Sequence, residues 1–388
     1  MGLFTDHVIT PIKNGLDKGD KGIPIPLKKL SRYINYIEKG QVVVISGRPE
    51  SGKSGLMDYM YFINVFKQWH ESIYQKVPGP GGLEIVKKNE EGEPIENGFD
   101  RRPMKMFYFS MKSDLRLKMQ KWLCLYLKLE FNIVIDIPTL TSGVGKMFNL
   151  STEHIAAINE AKLFFDEFEK EVLTLSRGRK TPSSIHNEVN NYMLSIGHID
   201  DTGTYMYDQG YEGTKVFLYV DNVEYLETET DGFQMMTEEG LKRSIGEKVT
   251  ELKELYGVTS FLISPSKLSN SRMVKDSEPS YKDLGVYAKV ADIGLVTYNP
   301  YNENNNKFGG YPVEDLIIRG NNRFRTVTIV RNYNGQSNIT VGCLFYGECG
   351  WFIETSFPSD AIWFDSAVEK LNQLPYLKLT STLDESED

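Results

Sequence analysis

Short apolar runs alternate with longer amphipathic stretches along most of this chain. The apolar runs are rich in β-branched and aromatic residues, which is typical of strands buried on both faces of a sheet. They cover residues 41–46, 104–110, 216–221, 259–263, 293–298 and 324–330. Two further short strands, at 342–345 and 351–354, are predicted to form a terminal hairpin.

The stretches between the strands repeat their apolar residues at helical spacing. Leu27, Leu30, Ile34 and Ile37 predict a first amphipathic helix. Further helices are predicted over residues 52–69, 115–131, 152–176 and 238–256, and one more begins at Pro182. Because strands and helices alternate repeatedly, we predict an α/β fold with a mostly parallel sheet and helices on both faces.

Residues 75–103 interrupt this alternation. They contain many glycines and prolines and a high density of charge, which is typical of turns and loops. We interpret the segment as an insertion within one domain that carries a short hairpin. The final residues, 384–388, are almost entirely acidic and are expected to form a disordered tail.

Composition restricts the protein class without identifying a function. Hydrophobic residues make up 40% of the 388 residues and charged residues 25%, which excludes collagen-like, disordered and disulfide-scaffold classes. The apolar runs are far shorter than the roughly 20 residues that cross a bilayer. Three scattered cysteines indicate a reducing, cytoplasmic location. The net charge of −9 means that any contact with nucleic acid must come from a local basic patch.

One motif carries recognisable chemistry, and it lies between a predicted buried strand and a predicted helix. It fits the phosphate-loop pattern of two glycines, a lysine and a serine at fixed spacing and consists of Gly47, Arg48, Pro49, Glu50, Ser51, Gly52, Lys53 and Ser54. The glycines allow backbone N–H groups to surround phosphate oxygens, and Lys53 supplies a positive charge. Ser54 is suited to hold Mg²⁺, so the loop predicts binding of ATP with Mg²⁺.

A phosphate loop needs a second carboxylate to orient the metal ion through water. Asp221 ends the apolar run at 216–221 and is placed for this task. We therefore predict that Ser54 and Asp221 form the metal site.

The order of segments resembles the RecA-like P-loop motor domain of replicative hexameric helicases of the bacterial DnaB type. The similar segments are residues 22–24, Arg48-Pro49 within the loop, 107–111, 181–185, 262–272, 291–293 and 332–335. They divide the chain into an N-terminal segment (1–21), a RecA-like ATPase domain (22–355) and a C-terminal segment with the acidic tail (356–388). The first 21 residues are too short for that family's collar domain.

The resemblance implies an ATP-dependent DNA helicase or translocase that acts in DNA replication. It also implies single-stranded DNA as a ligand, a homo-oligomer in the form of a hexameric ring, and a primase or loader as partner. The host compartment would be the cytoplasm of a bacterium or of a phage-infected cell. The family's channel loop would fall on the basic stretch that contains Lys267, Arg272 and Lys275.

Several catalytic positions of that family are altered here. Lys112 stands where the catalytic glutamate is expected, and Pro265 replaces the sensor glutamine. Arg331 stands for a lysine, and Tyr333 stands for the arginine finger that reaches a neighbouring subunit's nucleotide. Nucleotide binding is therefore better supported by the sequence than hydrolysis.

Two interpretations remain open at the level of sequence. In the first, hydrolysis is active and rerouted: Lys53 binds the phosphates, Glu224 or Asp114 acts as the base, and the finger is one of Arg319, Arg323 and Arg325. In the second, nucleotide only fixes a structural or loader-like RecA-fold oligomer, and hydrolysis is slow or absent. A recombinase-like DNA-binding ATPase is a further alternative.

Overall fold

A mixed sheet lies at the centre of the fold. The computed structural model describes residues 22–34, 36–73, 76–78, 84–86, 89, 91, 95, 103–112, 114–142, 150–231, 234–266, 279–301, 307–308, 310–313 and 323–359. The nine strands of this sheet are β1 (Val42–Gly47), β2 (Met104–Ser110), β3 (Leu173–Arg177), β4 (Lys215–Asp221), β5 (Thr259–Pro265), β6 (Ile293–Tyr298), β7 (Phe324–Asn332), β8 (Ile339–Tyr346) and β9 (Trp351–Glu354).

The strand order is β9-β8-β7-β6-β1-β5-β4-β2-β3. The six strands from β6 to β3 run parallel to one another. β7, β8 and β9 extend the sheet in antiparallel fashion beyond β6. The carboxyl ends of the parallel strands therefore meet at one edge, where ligands bind in open α/β sheets.

Six helices connect and cover the strands in the described part of the chain. They are α1 (Lys53–Ile73, with a π-helical segment over Asp58–Ile63), α2 (Leu115–Phe131), α3 (Ile137–Ser142), α4 (Thr152–Glu167, continued by a π-helical segment over Phe168–Val172), α5 (Pro182–Ser195) and α6 (Glu238–Tyr256). Short 3₁₀ helices cover Leu30–Arg32, Val223–Tyr225 and Tyr281–Ala288. None of the helices in these ranges is long and apolar enough to cross a membrane.

Five small hairpins complete the described secondary structure. They pair Ile23–Pro24 with Tyr36–Ile37, Lys76–Pro78 with Glu84–Val86, Gly197–Ile199 with Tyr205–Tyr207, Thr230–Asp231 with Gln234–Met235, and Lys307–Phe308 with Tyr311–Pro312. The second of these confirms the hairpin predicted within residues 75–103.

Two hydrophobic layers, one on each face of the sheet, hold the helices in place. Along β1, Val43 and Ile45 join the layer beneath α1, α2 and α4, whereas Val42 and Val44 join the layer beneath α5 and α6. This alternation follows from the two-residue period of a strand. The prediction of an α/β fold with a mostly parallel sheet and helices on both faces is confirmed.

Two of the predicted helices are wrong in part. The four apolar residues at 27, 30, 34 and 37 are all buried, but the backbone there forms a single 3₁₀ turn and a short strand. The Glu354 carboxylate of β9 accepts the backbone N–H groups of Lys29 and Leu30 at 2.8 and 2.9 Å and so fixes this turn from a distant part of the chain. Tertiary contacts thus override the helical periodicity.

The helix predicted over residues 152–176 ends early. Its last residues leave the helix and become β3, which pairs with β2 in parallel. The sequence of this stretch alternates apolar and polar residues, which is a strand period that follows directly on a helical one. In contrast, α2 and α6 have the predicted bounds, and α1 continues four residues beyond its predicted end.

Candidate nucleotide-binding site

The loop between β1 and α1 lies at the carboxyl edge of the parallel strands and is fixed to the neighbouring strand β6. Gly47 has a φ of 155°, and a Cβ atom at this position would lie 2.4 Å from the carbonyl oxygen of Thr297. Ser51 is buried, and its Oγ lies 2.6 Å from Thr297 Oγ1. Gly52, the residue that precedes α1, has a φ of 92° and adopts the left-handed conformation that glycine adopts most readily.

Two aromatic rings of the terminal strands pack against the start of α1. Phe345 of β8 and Phe352 of β9 stack with ring centroids 4.5 Å apart. A Cβ atom at Gly52 would lie 3.0 Å from Phe352 Cζ. A Cβ atom at Gly55 would lie 2.9 Å from Phe345 Cε2. The antiparallel extension of the sheet therefore buttresses the phosphate loop.

The Lys53 ammonium lies within the loop. Its Nζ donates hydrogen bonds to the carbonyl oxygens of Gly47 and Arg48, each at 2.7 Å. Burial lowers the pKa of Lys53 to about 8, although the nearby carboxylates of Asp221 and Glu224 act in the opposite direction. A partly desolvated cation held by two carbonyls is well suited to bind an anionic phosphate.

The predicted metal ligands meet in the structure. Ser54 Oγ donates a hydrogen bond to Asp221 Oδ1 at 3.0 Å, and Asp221 is buried at the end of β4. A hydroxyl and a carboxylate are the hard oxygen donors that Mg²⁺ prefers, with phosphate oxygens and water completing its coordination. The donor set therefore fits Mg²⁺ held jointly by the protein and a nucleotide.

A buried ion-pair network that sequence reasoning missed adjoins these ligands. Lys118 of α2 places its Nζ 2.8 Å from Asp58 Oδ2 and 2.9 Å from Asp221 Oδ2. The Tyr108 hydroxyl lies 3.1 Å from an oxygen of each of the two carboxylates. Lys118 is only 4% exposed and Asp58 only 5%. A signal exists in the sequence, because Lys118 shares the apolar face of α2 with Trp122.

The network perturbs its two carboxyl groups in opposite directions. Burial raises the pKa of Asp58, and the opposing attraction of Lys118 does not cancel this effect. Burial acts on Asp221 in the same sense, but the charge of Lys118 and the hydrogen bonds from Lys118, Ser54 and Tyr108 hold its pKa below the usual value. Asp221 is thus kept as a carboxylate.

The two residues proposed as the catalytic base, Glu224 and Asp114, lie in different environments, as does Lys112 at the altered position. Glu224 is exposed on the 3₁₀ turn after β4, and its charge acts on Lys53. Lys112, at the position of the altered glutamate, has its Nζ 5.1 Å from the centre of the Tyr225 ring. A hydrogen bond to Tyr225 raises the pKa of Lys112. Asp114 caps α2 by accepting the N–H of Arg116 at 2.9 Å, so its carboxylate is engaged in the helix.

The described arginines proposed as fingers make contacts within their own chain. Arg323 donates to Glu348 at 2.8 Å. Arg325 is buried and donates to Asn299 Oδ1 at 3.0 Å. Arg319 lies outside the described residues.

The remaining altered positions lie at opposite edges of the sheet: Pro265 is beside the loop, and Arg331 and Tyr333 are at the end of β7. Pro265 ends β5 in register with Gly47. Arg331 donates to the carbonyl oxygen of Ala288 at 2.7 Å, whereas Tyr333 is 77% exposed just beyond β7. A large aromatic side chain therefore projects into solvent where the resemblance would place a finger.

The predicted nucleic-acid residues Lys267, Arg272 and Lys275 lie outside the described residues. The residue that precedes them is described: the Ser266 N–H donates to the carbonyl oxygen of Gly47 at 3.1 Å, and its Oγ donates to Asp283 at 2.5 Å. Ser266, the last described residue before the basic stretch, therefore lies beside the phosphate loop.

The fold and the site together define a RecA-like P-loop core. Its features are a glycine-containing loop between a central parallel strand and a helix, and a serine that donates a hydrogen bond to an aspartate on a nearby strand. The chain matches the ATPase domain of G40P with a TM-score of 0.58 at 13% identity, over 92% of this chain and 100% of that one. It also matches a DnaB-like replicative helicase, described with its interactions with primase, with a TM-score of 0.56 at 13% identity, over 90% of this chain and 68% of that one.

These structural matches confirm the RecA-like fold and its likeness to DnaB-like helicase ATPase domains. At this level of identity they concern the fold. No family model matches the sequence, and no curated protein matches it.

Proposed function

We propose that this protein is an ATP-dependent DNA helicase or translocase of the DnaB-like type that acts in DNA replication. The observation that carries the proposal is the 3.0 Å hydrogen bond between Ser54 and Asp221 beside a phosphate loop, within a RecA-like fold. This arrangement provides the charge and the oxygen ligands that a magnesium nucleotide requires.

In this proposal each element of the site has a task. The backbone N–H groups of residues 47–54 surround the phosphates of ATP, and Lys53 donates to them in place of its present carbonyl partners. Ser54 and Asp221 hold Mg²⁺, which neutralises charge on the transferred phosphoryl group. Glu224 acts as the base that orients water, because it is the exposed carboxylate whose charge acts on Lys53.

The proposed partners follow from the same resemblance. We infer a homo-oligomer, with a hexameric ring as its form, that binds single-stranded DNA through Lys267, Arg272 and Lys275 in the host cytoplasm. A primase or loader is a further proposed partner, since the matched helicase was described with a primase. Sedimentation velocity with and without nucleotide tests the ring, and a strict monomer in both states would contradict it.

A second candidate function is a nucleotide-binding oligomer that hydrolyses ATP slowly or not at all. Lys112, Pro265 and Tyr333 favour it, because three positions that support hydrolysis in the resembled family are altered together. Loss of an arginine finger alone removes roughly three to five decades of turnover.

Steady-state ATP hydrolysis at low salt, with and without single-stranded DNA, separates the two candidates. The motor predicts hydrolysis that DNA stimulates and that Glu224→Gln lowers by about 10²-fold or more with nucleotide binding retained. Glu227→Gln changes an exposed carboxylate three residues further on and should leave the rate unchanged. Tight nucleotide binding without turnover in the unmodified protein would contradict the motor and support the structural role.

A further inference from the structure

The buried Lys118 ammonium faces the carboxylate that we propose as a metal ligand. Given the proposed nucleotide site, we propose that Lys118 is a positioning residue that acts as an internal counter-ion. It holds Asp221 in place and prevents Asp58 and Asp221 from binding a divalent cation until nucleotide is present. Lys118 is contributed by α2, outside the phosphate loop and the strand that carries Asp221.

The geometry brings a second carboxylate close to the proposed metal ligand. Asp58 follows Ser54 by four residues, so the two side chains lie on the same face of α1. The Lys118 ammonium bridges Asp58 and Asp221 at 2.8 and 2.9 Å. The two acids and the single cation therefore form one compact cluster.

The orientation of Asp221 depends on this bridge. Its Oδ2 is engaged by Lys118 at 2.9 Å and by Tyr108 at 3.1 Å, while its Oδ1 accepts the Ser54 hydroxyl at 3.0 Å. Because Oδ2 is fixed, Oδ1 is the oxygen that remains on the side of Ser54 and of the phosphate loop. Lys118, together with Tyr108, thus helps to determine which oxygen of Asp221 is presented.

Charge explains why the bridge also limits metal binding. Asp58 and Asp221 are both buried, and two buried carboxylates without a cation would be strongly unfavourable. A divalent ion could neutralise such a pair in place of Lys118. Lys118 supplies the neutralising charge permanently and repels a second cation. The phosphates of a nucleotide add the negative charge that offsets this repulsion, so the metal ion enters together with nucleotide.

Space for a small hydrated ion exists beside the cluster. A cavity of about 130 Å³ is lined by Ser54, Asp58 and Lys118, and also by Lys121 one turn further along α2. This volume is several times that of a single water molecule. A cation that replaced the Lys118 ammonium could therefore reach both carboxylates.

The test measures Mn²⁺ binding to the nucleotide-free protein by electron paramagnetic resonance of the free ion. The unmodified protein should bind Mn²⁺ weakly, and Lys118→Met should bind it at least about tenfold more tightly because the two carboxylates lose their internal cation. Adding Asp58→Asn to Lys118→Met should abolish the gain. Lys121→Met is the matched control, since it removes an exposed lysine from the same cavity, and its affinity should change by less than about threefold.

Two outcomes would overturn the proposal: a folded Lys118→Met protein that binds Mn²⁺ no more tightly than the unmodified protein, or an equal gain in Lys121→Met.

If Lys118→Met does not fold, the Asp58→Asn variant tests the proposal instead. It leaves Lys118 paired with Asp221 alone and should weaken the Mg²⁺ dependence of nucleotide affinity severalfold; an unchanged dependence rejects the inference. The Mn²⁺ measurement uses no nucleotide, so a failure of the unmodified protein to bind ATP would refute the proposed function separately.

Discussion

Gly47 illustrates how a single residue determines the shape of the phosphate loop. It combines a positive φ with a position where a Cβ atom would lie 2.4 Å from the backbone of Thr297. Both the conformation and the close approach exclude side chains, so a glycine is required here for the loop to take this shape.

We predict that Gly47→Ala destabilises the protein by about 3 kcal/mol, through the positive φ and the overlap with β6 combined. Gly203→Ala is the matched control, because Gly203 also has a positive φ of 81° but nothing lies within 4 Å of its would-be Cβ. It should lose only about 1 kcal/mol. Urea unfolding measures both values, and equal losses would show that the contact with Thr297 is unimportant.

The residues of the candidate site could be predicted from sequence to different degrees. The phosphate loop and Asp221 were predictable, because the loop has fixed spacing and a carboxylate at the end of a buried strand meets it at the sheet edge. The bridge from Lys118 to Asp58 was not, since 60 positions separate these residues and only the packing of α2 on α1 brings them together. The basic stretch from Lys267 to Lys275 stays a prediction.

At the scale of elements, predictability depended on whether local signals agreed with tertiary contacts. α6 has its predicted bounds because Thr237 caps its start, Gly257 ends it in a left-handed conformation, and Leu241, Ile245 and Val249 form a buried stripe. β3 was predicted as helix, because its short strand period follows directly on the helical period of α4 without a turn between them.

The cap of α6 gives a prediction for this scale. Thr237 Oγ1 accepts the N–H of Gly240 at 3.1 Å, so Thr237→Ala should lower the free energy of unfolding by about 1 kcal/mol. Thr237→Ser keeps the hydroxyl and should retain most of the stability. Thermal or urea unfolding of both variants checks this, and an equal loss in the serine variant would argue that the hydroxyl does not act as a cap.

At the scale of the whole molecule, the sheet brings distant segments to one edge. Six parallel strands align Gly47, Asp221 and Pro265 at their carboxyl ends, and the antiparallel extension brings Phe345 and Phe352 against the loop. The hairpin over β8 and β9 was predicted from sequence, but its packing against the loop was not, because strand order cannot be read from local pattern.

The net charge of −9 is compatible with the proposed DNA ligand. Part of the acidic excess lies in residues 75–103 and in the last five residues, whereas the basic stretch follows β5 in the sequence. The altered positions at Lys112 and Tyr333 are a stronger argument against helicase activity than the net charge is. They bear on ATP hydrolysis more than on ATP binding.

Nucleotide binding is the central claim, and a fluorescence titration with a labelled ATP analogue and Mg²⁺ tests it most directly. The unmodified protein should bind, and Lys53→Ala should bind at least about 100-fold more weakly because the phosphates lose a charged donor. Lys162→Ala, which changes an exposed lysine on α4, should bind like the unmodified protein. Unchanged binding by Lys53→Ala would contradict the assignment of the site.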